Sequence, residues 1–188
     1  MHATVAPRSS LAQIRGMFAL LRPRQWVKNV FVFAPLIFAG EFLKLQSIEK
    51  VALAALIFCV ASSATYILND LTDIERDRRH PKKSKSRPLA SGLVSVTQAI
   101  TLLLILYVTL LAAWFVMSAV LYVVLGYLLL NLAYTFVLKH QPVIDIFTIA
   151  IGFVLRVYAG AMALSVPVSS WMFVTTLCLA LYLAAVKR

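Results

Sequence analysis

Acidic residues are scarce: 7 Asp and Glu stand against 18 Lys and Arg in 188 residues, a formal net charge of +11. Charged residues of both signs make up only 13% of the chain while 62% is apolar, and the mean hydropathy is +0.89. That balance excludes an ordinary water-soluble domain. Only two cysteines occur, Cys59 and Cys178, both deep in apolar runs, so no disulfide framework is readable and both are expected to be packing residues. Histidine is equally sparse, and His2, His80 and His140 form no catalytic set. The stretch 1–25 lacks the apolar core of a secretory leader and carries Arg8, Arg15, Arg22 and Arg24. It reads as a cytosolic lead-in lying on the membrane surface, with Ile14, Met17, Phe18 and Leu21 on one helical face.

What is abundant is long apolar runs. They fall at 26–43, 51–68, 97–117, 119–138, 143–164 and 169–186. A hydrocarbon core about 30 Å thick takes roughly 20 helical residues, so the expected fold is all-α, a polytopic bundle of six spans in one transmembrane domain over 1–188. The first run is short and holds Pro35 near its middle, which predicts a kink. With the N-terminus placed in the cytosol, fifteen of the 18 basic residues fall on that side, seven of them between Arg76 and Arg87. This satisfies the positive-inside rule and orients the lead-in and a motif loop at 69–92 toward the cytosol, in a cell membrane. Nucleic acid is excluded as a partner because the bases follow topology and are not interleaved with exposed stacking aromatics.

The most informative stretch follows the second run: Asn69-Asp70-Leu71-Thr72-Asp73-Ile74-Glu75-Arg76-Asp77. A helix continued at 100° per residue brings Asn69, Asp70, Asp73 and Asp77 into an arc of about 100°. Carboxylates at a helix C-terminus oppose the macrodipole and repel one another, so a cation is required there. One solution is a solvated helix end paired with Arg76, Arg78, Arg79 and Lys82. The other is Mg²⁺, which takes hard oxygen ligands, commonly one or two carboxylates plus substrate phosphates, with the adjacent bases holding the phosphates.

These residues resemble the first aspartate-rich signature, NDxxDxxxD, of the UbiA-type membrane prenyltransferase superfamily. Arg87-Pro88-Leu89-Ala90-Ser91-Gly92 is similar to its RPLxxG segment, and Tyr134-Thr135-Phe136-Val137-Leu138-Lys139 to its YTxxKR stretch. The resemblance implies nine helices around a cavity open sideways to lipid, of which six are present, so the chain is expected to be C-terminally truncated. It departs from the family at 181–188, where a second aspartate-rich motif would stand: Lys187 and Arg188 occur there and no acid. Together with the Arg22-to-Asn29 segment, Asp145 and Arg156, that departure resembles the polyprenyl-phosphate (decaprenyl-phosphate) phosphoribosyltransferase branch. The branch implies phosphoribosyl pyrophosphate as donor, a polyprenyl phosphate lipid as acceptor, Mg²⁺ as cofactor and a role in cell-wall arabinan precursor synthesis.

On that resemblance Asn69, Asp70, Asp73 and Asp77 form the catalytic Mg²⁺-pyrophosphate site, with Asp70, Asp73 and Asp77 as metal ligands. Lys28, Lys83, Arg87 and Lys139 are candidates for the donor phosphates, and Lys187 and Arg188 for the lipid phosphate, with Tyr134 added from the matched segment. Arg156 stands inside a span, at a cost of roughly 3 kcal/mol unless it lines a wet cavity or finds a partner. Asp145 is about 16 Å away along one straight helix, too far to pair directly, so Arg156 is expected to wall a polar, substrate-binding cavity, with Gly152 and Gly160 leaving room beside it. Two other functions stay open: an aromatic or quinone-type prenyltransferase using a prenyl diphosphate, and a noncatalytic lipid-binding or transport bundle.

Overall fold

A computed structural model describes residues 10–137 and 142–186. In chain order these form α1 (Ser10–Leu20), a 3-10 helix (Pro23–Phe33), α2 (Ala34–Phe38), α3 (Leu45–Thr72), α4 (Ile74–Arg79), α5 (Lys83–Ser86), α6 (Val96–Trp114), α7 (Ser118–Phe136), α8 (Pro142–Leu164) and α9 (Ser170–Val186). No strand occurs among the described residues. Four helices, α3, α6, α7 and α8, are long and apolar enough to cross a membrane, and α9 is apolar but shorter at 17 residues. The all-helical, multi-pass membrane class expected from the hydropathy is the one observed.

α3 holds neither Gly nor Pro in its 28 residues and starts earlier than the apolar run, because Gln46, Ser47, Glu49 and Lys50 continue the helix as polar first turns. At 1.5 Å per residue it is about 42 Å long, so its ends project beyond a 30 Å hydrocarbon core. The first run departs from a plain helical span. It is a 3-10 helix of 11 residues followed by five residues of α-helix. Pro23 and Pro35 cannot donate backbone hydrogen bonds, and the β-branched Val27, Val30 and Val32 disfavour the α form. Because a 3-10 helix rises about 2.0 Å per residue, these 16 residues still reach about 30 Å, enough to cross the core.

α3 and α8 are the inner helices: 61% of each apolar window is buried, against 17% for α6 and 28% for α7. Small residues line the inner face of α3, where Ala54, Ala55, Ala61 and Ala64 let neighbouring backbones approach. At the opposite, basic end, α1 seals a second cluster through Leu20 and Met17 against Leu89, Val94 and Ala99. Met17 and Leu21 pack against that cluster while Ile14 and Phe18, on the same arc of the helix, are exposed along with Leu11. The inward side is set by Gly16, which sits directly against Leu93 and Val94. α6 begins with a capping box in which Ser95 Oγ accepts from the Gln98 N–H at 3.1 Å and Gln98 Oε1 accepts from the Ser95 N–H at 3.0 Å. Of the cysteines, Cys59 is half-buried, whereas Cys178 is exposed on the flank of α9, contrary to the packing role expected.

The 3-10 helix packs directly onto α8 at Gly160, where a Cβ would stand 1.9 Å from the Val32 carbonyl oxygen. Gly160→Ala is therefore expected to lower stability by about 1–3 kcal/mol. Gly126→Ala, at a position with no atom within 4 Å of the added carbon, should leave it unchanged or slightly raised. Thermal melts of both variants in detergent, followed by size-exclusion profile, test the pair.

Candidate functional site

The acidic motif does not form one continuous helix. α3 ends at Thr72 and α4 starts at Ile74, with Asp73 between them at φ −97°, ψ 8°. The backbone bonds Asp73 N–H to Asn69 O and Asp77 N–H to Asp73 O persist across this joint. The joint turns the motif enough that Asp70 and Asp77 come together, but no group of three acidic, His or Cys side chains converges among the described residues. Asp70 and Asp77 are buried, at 3% and 2% exposure. Two buried carboxylates this close need cations, and they have them: Arg22 Nη2 donates to Asp70 Oδ1 at 2.6 Å and Arg87 Nη1 to the same oxygen at 2.7 Å. Arg87 Nη1 also reaches Asp77 Oδ2, and Lys83 Nζ lies 3.5 Å from Asp77 Oδ1.

The bases that neutralise the pair are thus Arg22, Lys83 and Arg87, not the sequence neighbours Arg76, Arg78, Arg79 and Lys82. Arg78 instead forms an exposed pair with Glu75 at 2.8 Å. Two of the candidate phosphate contacts, Lys83 and Arg87, are brought onto the carboxylates themselves. Arg87 belongs to the RPLASG segment, which closes at Gly92 with φ +68°, a value that favours glycine. Arg22 is held in the left-handed region, φ 51° and ψ 58°, and its guanidinium lies 5.0 Å from the Tyr66 ring centre. A strained non-glycine residue of this kind is common at functional sites. A cavity of about 590 Å³ opens beside Arg22, Arg24, Gln25, Asp70, Ser86 and Arg87, with Phe18 and Pro88 as its apolar rim.

This donor set suits a hard divalent cation. Asp70 Oδ1 and Asp77 Oδ2 both contact one guanidinium nitrogen, so they stand close enough to share a cation. Asn69 Oδ1 is buried and accepts no hydrogen bond from the described residues. An orphaned buried oxygen in the same motif as a carboxylate pair is what an oxygen-liganded ion would satisfy.

A second cavity, of about 210 Å³, lies deeper in the bundle and gathers Lys28, Tyr66, Tyr127, Asn131, Tyr134 and Arg156. Arg156 is 4% exposed. It donates Nε to Asn29 Oδ1 at 2.8 Å, Nη1 to the Gly152 carbonyl at 2.6 Å and Nη2 to the Tyr127 hydroxyl at 3.3 Å. The faces of Phe58, Tyr127 and Phe153 surround it at 5.0–5.5 Å. Asp145 is buried elsewhere on α8 and is not among these partners. Lys139, Lys187 and Arg188 lie outside the described residues.

With this geometry in view, residues 30–187 match the UbiA prenyltransferase family. The chain belongs to that family. It is 39% identical over 180 residues to a decaprenyl-phosphate phosphoribosyltransferase of Mycobacterium tuberculosis, covering 93% of this chain and 59% of that protein. It is 37% identical to one from Mycolicibacterium smegmatis, covering 98% and 59%, and 38% identical to one from Corynebacterium glutamicum, covering 97% and 55%. The chain thus spans a little over half the length of these relatives.

Three residues of this UbiA-family site were given no role by the sequence reading, although Arg22 and Asn29 stand in the segment that carried the resemblance. Arg22 carried a signal, an arginine directly before Pro23 at the entry to the first span. Asn29 carried one too: an amide within an otherwise apolar run is as unusual as Arg156, and it is Arg156's partner. Tyr127 carried none, since membrane-helix tyrosines are generally core or belt. Arg87→Ala removes the cation shared by two buried carboxylates and is expected to destabilise the protein by about 3 kcal/mol. Glu75→Ala, which breaks only the exposed pair, should cost nothing measurable in the same denaturation series.

Proposed function

We propose that this protein transfers the 5-phosphoribosyl group of phosphoribosyl pyrophosphate to a polyprenyl phosphate, decaprenyl phosphate in the first instance, releasing pyrophosphate. The observation that carries the reading is the buried Asp70–Asp77 pair framed by Arg22, Lys83 and Arg87, in a chain whose relatives bear the name decaprenyl-phosphate phosphoribosyltransferase. Asp70 and Asp77 would hold Mg²⁺, with Asn69 Oδ1 and Asp73 at the same motif as further oxygen donors. When bound, the ion stabilises the charge that develops on the departing pyrophosphate.

The chain's own residues do the rest. Arg22, Lys83 and Arg87 neutralise the carboxylates and stand ready to donate to diphosphate oxygens, the charge-assisted bidentate contact for which guanidinium is suited. As the bond between the anomeric carbon and pyrophosphate breaks, its electron pair leaves with pyrophosphate, and a lipid phosphate oxygen forms the new bond to that carbon. The attacking oxygen is already anionic, so no general base is needed, in keeping with a chain whose histidines form no catalytic set. Lys28, Tyr134 and Arg156 contact substrate from the inner cavity, and Lys139, Lys187 and Arg188 supply further phosphate contacts.

The orientation follows from the basic residues: the N-terminus and the 69–92 loop face the cytosol, where a soluble phosphorylated donor is reached, and the membrane is the cell membrane. The product is a precursor for cell-wall arabinan. Purified protein given labelled phosphoribosyl pyrophosphate, decaprenyl phosphate and Mg²⁺ should yield a labelled lipid, with none formed after chelation. Asp70→Asn and Asp77→Asn should each lower kcat/KM by about 100-fold or more. Prenylation of an aromatic acid from a prenyl diphosphate, without labelled lipid, would overturn the reading.

A further inference from the structure

Asp70 holds two guanidiniums on one oxygen. Arg22 Nη2 and Arg87 Nη1 donate to Oδ1 at 2.6 and 2.7 Å, which uses the two lone-pair directions that a carboxylate oxygen offers. The carboxylate is 3% exposed, so a divalent cation arriving there meets both positive charges with little water to screen them. Guanidinium and metal therefore compete for Asp70, and the backbone shows which arginine competes less well. Both arginines stand directly before a proline, Pro23 and Pro88, whose ring confines the preceding residue to extended backbone. Arg87 conforms, at φ −94° and ψ 126°. Arg22 does not: at φ 51° and ψ 58° it takes the left-handed position after the last turn of α1, where glycine is usual, and its N–H donates to the Ala19 carbonyl. The side chains differ in the same sense. Arg87 Nη1 is also held by Asp77, whereas among the described residues Asp70 is the only hydrogen-bond acceptor of the Arg22 side chain, with the Tyr66 ring beside it.

We propose that Arg22 is a strained latch on Asp70, which yields this carboxylate to a divalent cation and turns into the adjoining cavity to donate to the diphosphate, while Arg87 stays between Asp70 and Asp77. This rests on the metal and diphosphate reading above. The cavity of about 590 Å³ gives the side chain room. Among the described residues Asp70 is the only acid in its lining, so a released guanidinium finds no other carboxylate there and is left to an incoming polyanion. Backbone strain favours the release: once the ion pair is gone, residue 22 is free to return toward the extended conformation that Pro23 prefers. Arg22 thus acts with opposite sign on the two ligands. It competes with the metal alone and assists the metal and diphosphate together, which makes the binding of one depend on the other. A carboxylate pair built in this way holds metal weakly until the diphosphate arrives.

Two titrations of the purified protein test the latch, and neither needs turnover. Mn²⁺ binding without substrate is read from the loss of the free-ion electron paramagnetic resonance signal, and pyrophosphate binding in saturating Mg²⁺ by isothermal titration. Arg22→Gln should tighten Mn²⁺ by about fivefold or more and weaken pyrophosphate by about tenfold. A merely structural loss would weaken both. Arg24→Gln removes a charge from the same cavity wall that forms no ion pair with Asp70 among the described residues, and should shift Mn²⁺ by less than about twofold. Pro23→Ala leaves every charge in place and lifts the restriction on residue 22, so Arg22 rests more firmly on Asp70 and Mn²⁺ should bind about threefold more weakly. This variant carries the test if Arg22→Gln does not fold. Mn²⁺ binding that is unchanged or weaker in folded Arg22→Gln, a shift of equal size in Arg24→Gln, or no weakening in Pro23→Ala overturns the proposal. Absence of Mn²⁺ binding in wild type and Arg22→Gln alike rejects the metal reading along with the latch. Opposite shifts in Arg22→Gln without phosphoribosyl transfer would reject the reaction while leaving the latch in place.

Discussion

One guanidinium holds the basic end of this molecule together. Arg87 Nη1 contacts both Asp70 at the end of α3 and Asp77 in α4, so a single side chain closes the excursion from 77 to 87 back onto the span that precedes it. Without it, two carboxylates buried side by side would repel in a medium that screens poorly. Arg22 adds a third strand of chain to the same point, arriving from before the first span. Buried ion pairs of this kind are weak contributors to net stability but impose one arrangement on the groups that share them. The carboxylates that fix the loop are also the oxygens that a metal and a diphosphate would engage, so the architecture and the proposed chemistry draw on the same atoms.

A second constraint runs along α3 toward the bundle interior. Trp26 Nε1 donates to Ser63 Oγ at 3.0 Å, Ser63 Oγ donates to the Leu21 carbonyl at 2.9 Å, and the Asn29 amide reaches Cys59 and Ser62. Apolar packing gives little drive for helix association in lipid, so these hydrogen bonds and close small-residue contacts locate the 3-10 segment between α3 and α8. Its geometry follows from that fit: Val32 lies against Gly160, and the backbone comes nearer to α8 than any side chain at 160 would permit. The segment carries Arg22 at its entry and Asn29 further along, and so ties the carboxylate pair to the Arg156 cavity.

Much of this was readable beforehand, and the limits have physical causes. Apolar runs located α6, α7 and α8 because a 30 Å core demands them. The same rule blurred the ends of α3, since polar first turns are as helical as apolar ones. In the first run the prolines announced an irregularity, but whether it became a kink or a 3-10 segment depended on the Gly160 groove and the serine face of α3. The acidic motif was legible as chemistry. Its partners were not, because the cations that close on Asp70 and Asp77 come from Arg22 and Arg87, on other segments of the chain.

The sequence by itself determined the helical membrane class, the family, the excess of basic over acidic residues and the oxygen-rich motif at 69–77. These follow from composition, local spacing and helical periodicity, which relate residues a few positions apart. Only the tertiary structure decided which cations meet which acceptors: Arg22 with Asp70 across 48 positions, and Arg156 with Asn29 across 127. Periodicity says which side chains share a face of one helix. It does not say which distant segment that face will meet, because that is chosen by whichever packing satisfies every buried polar group at once.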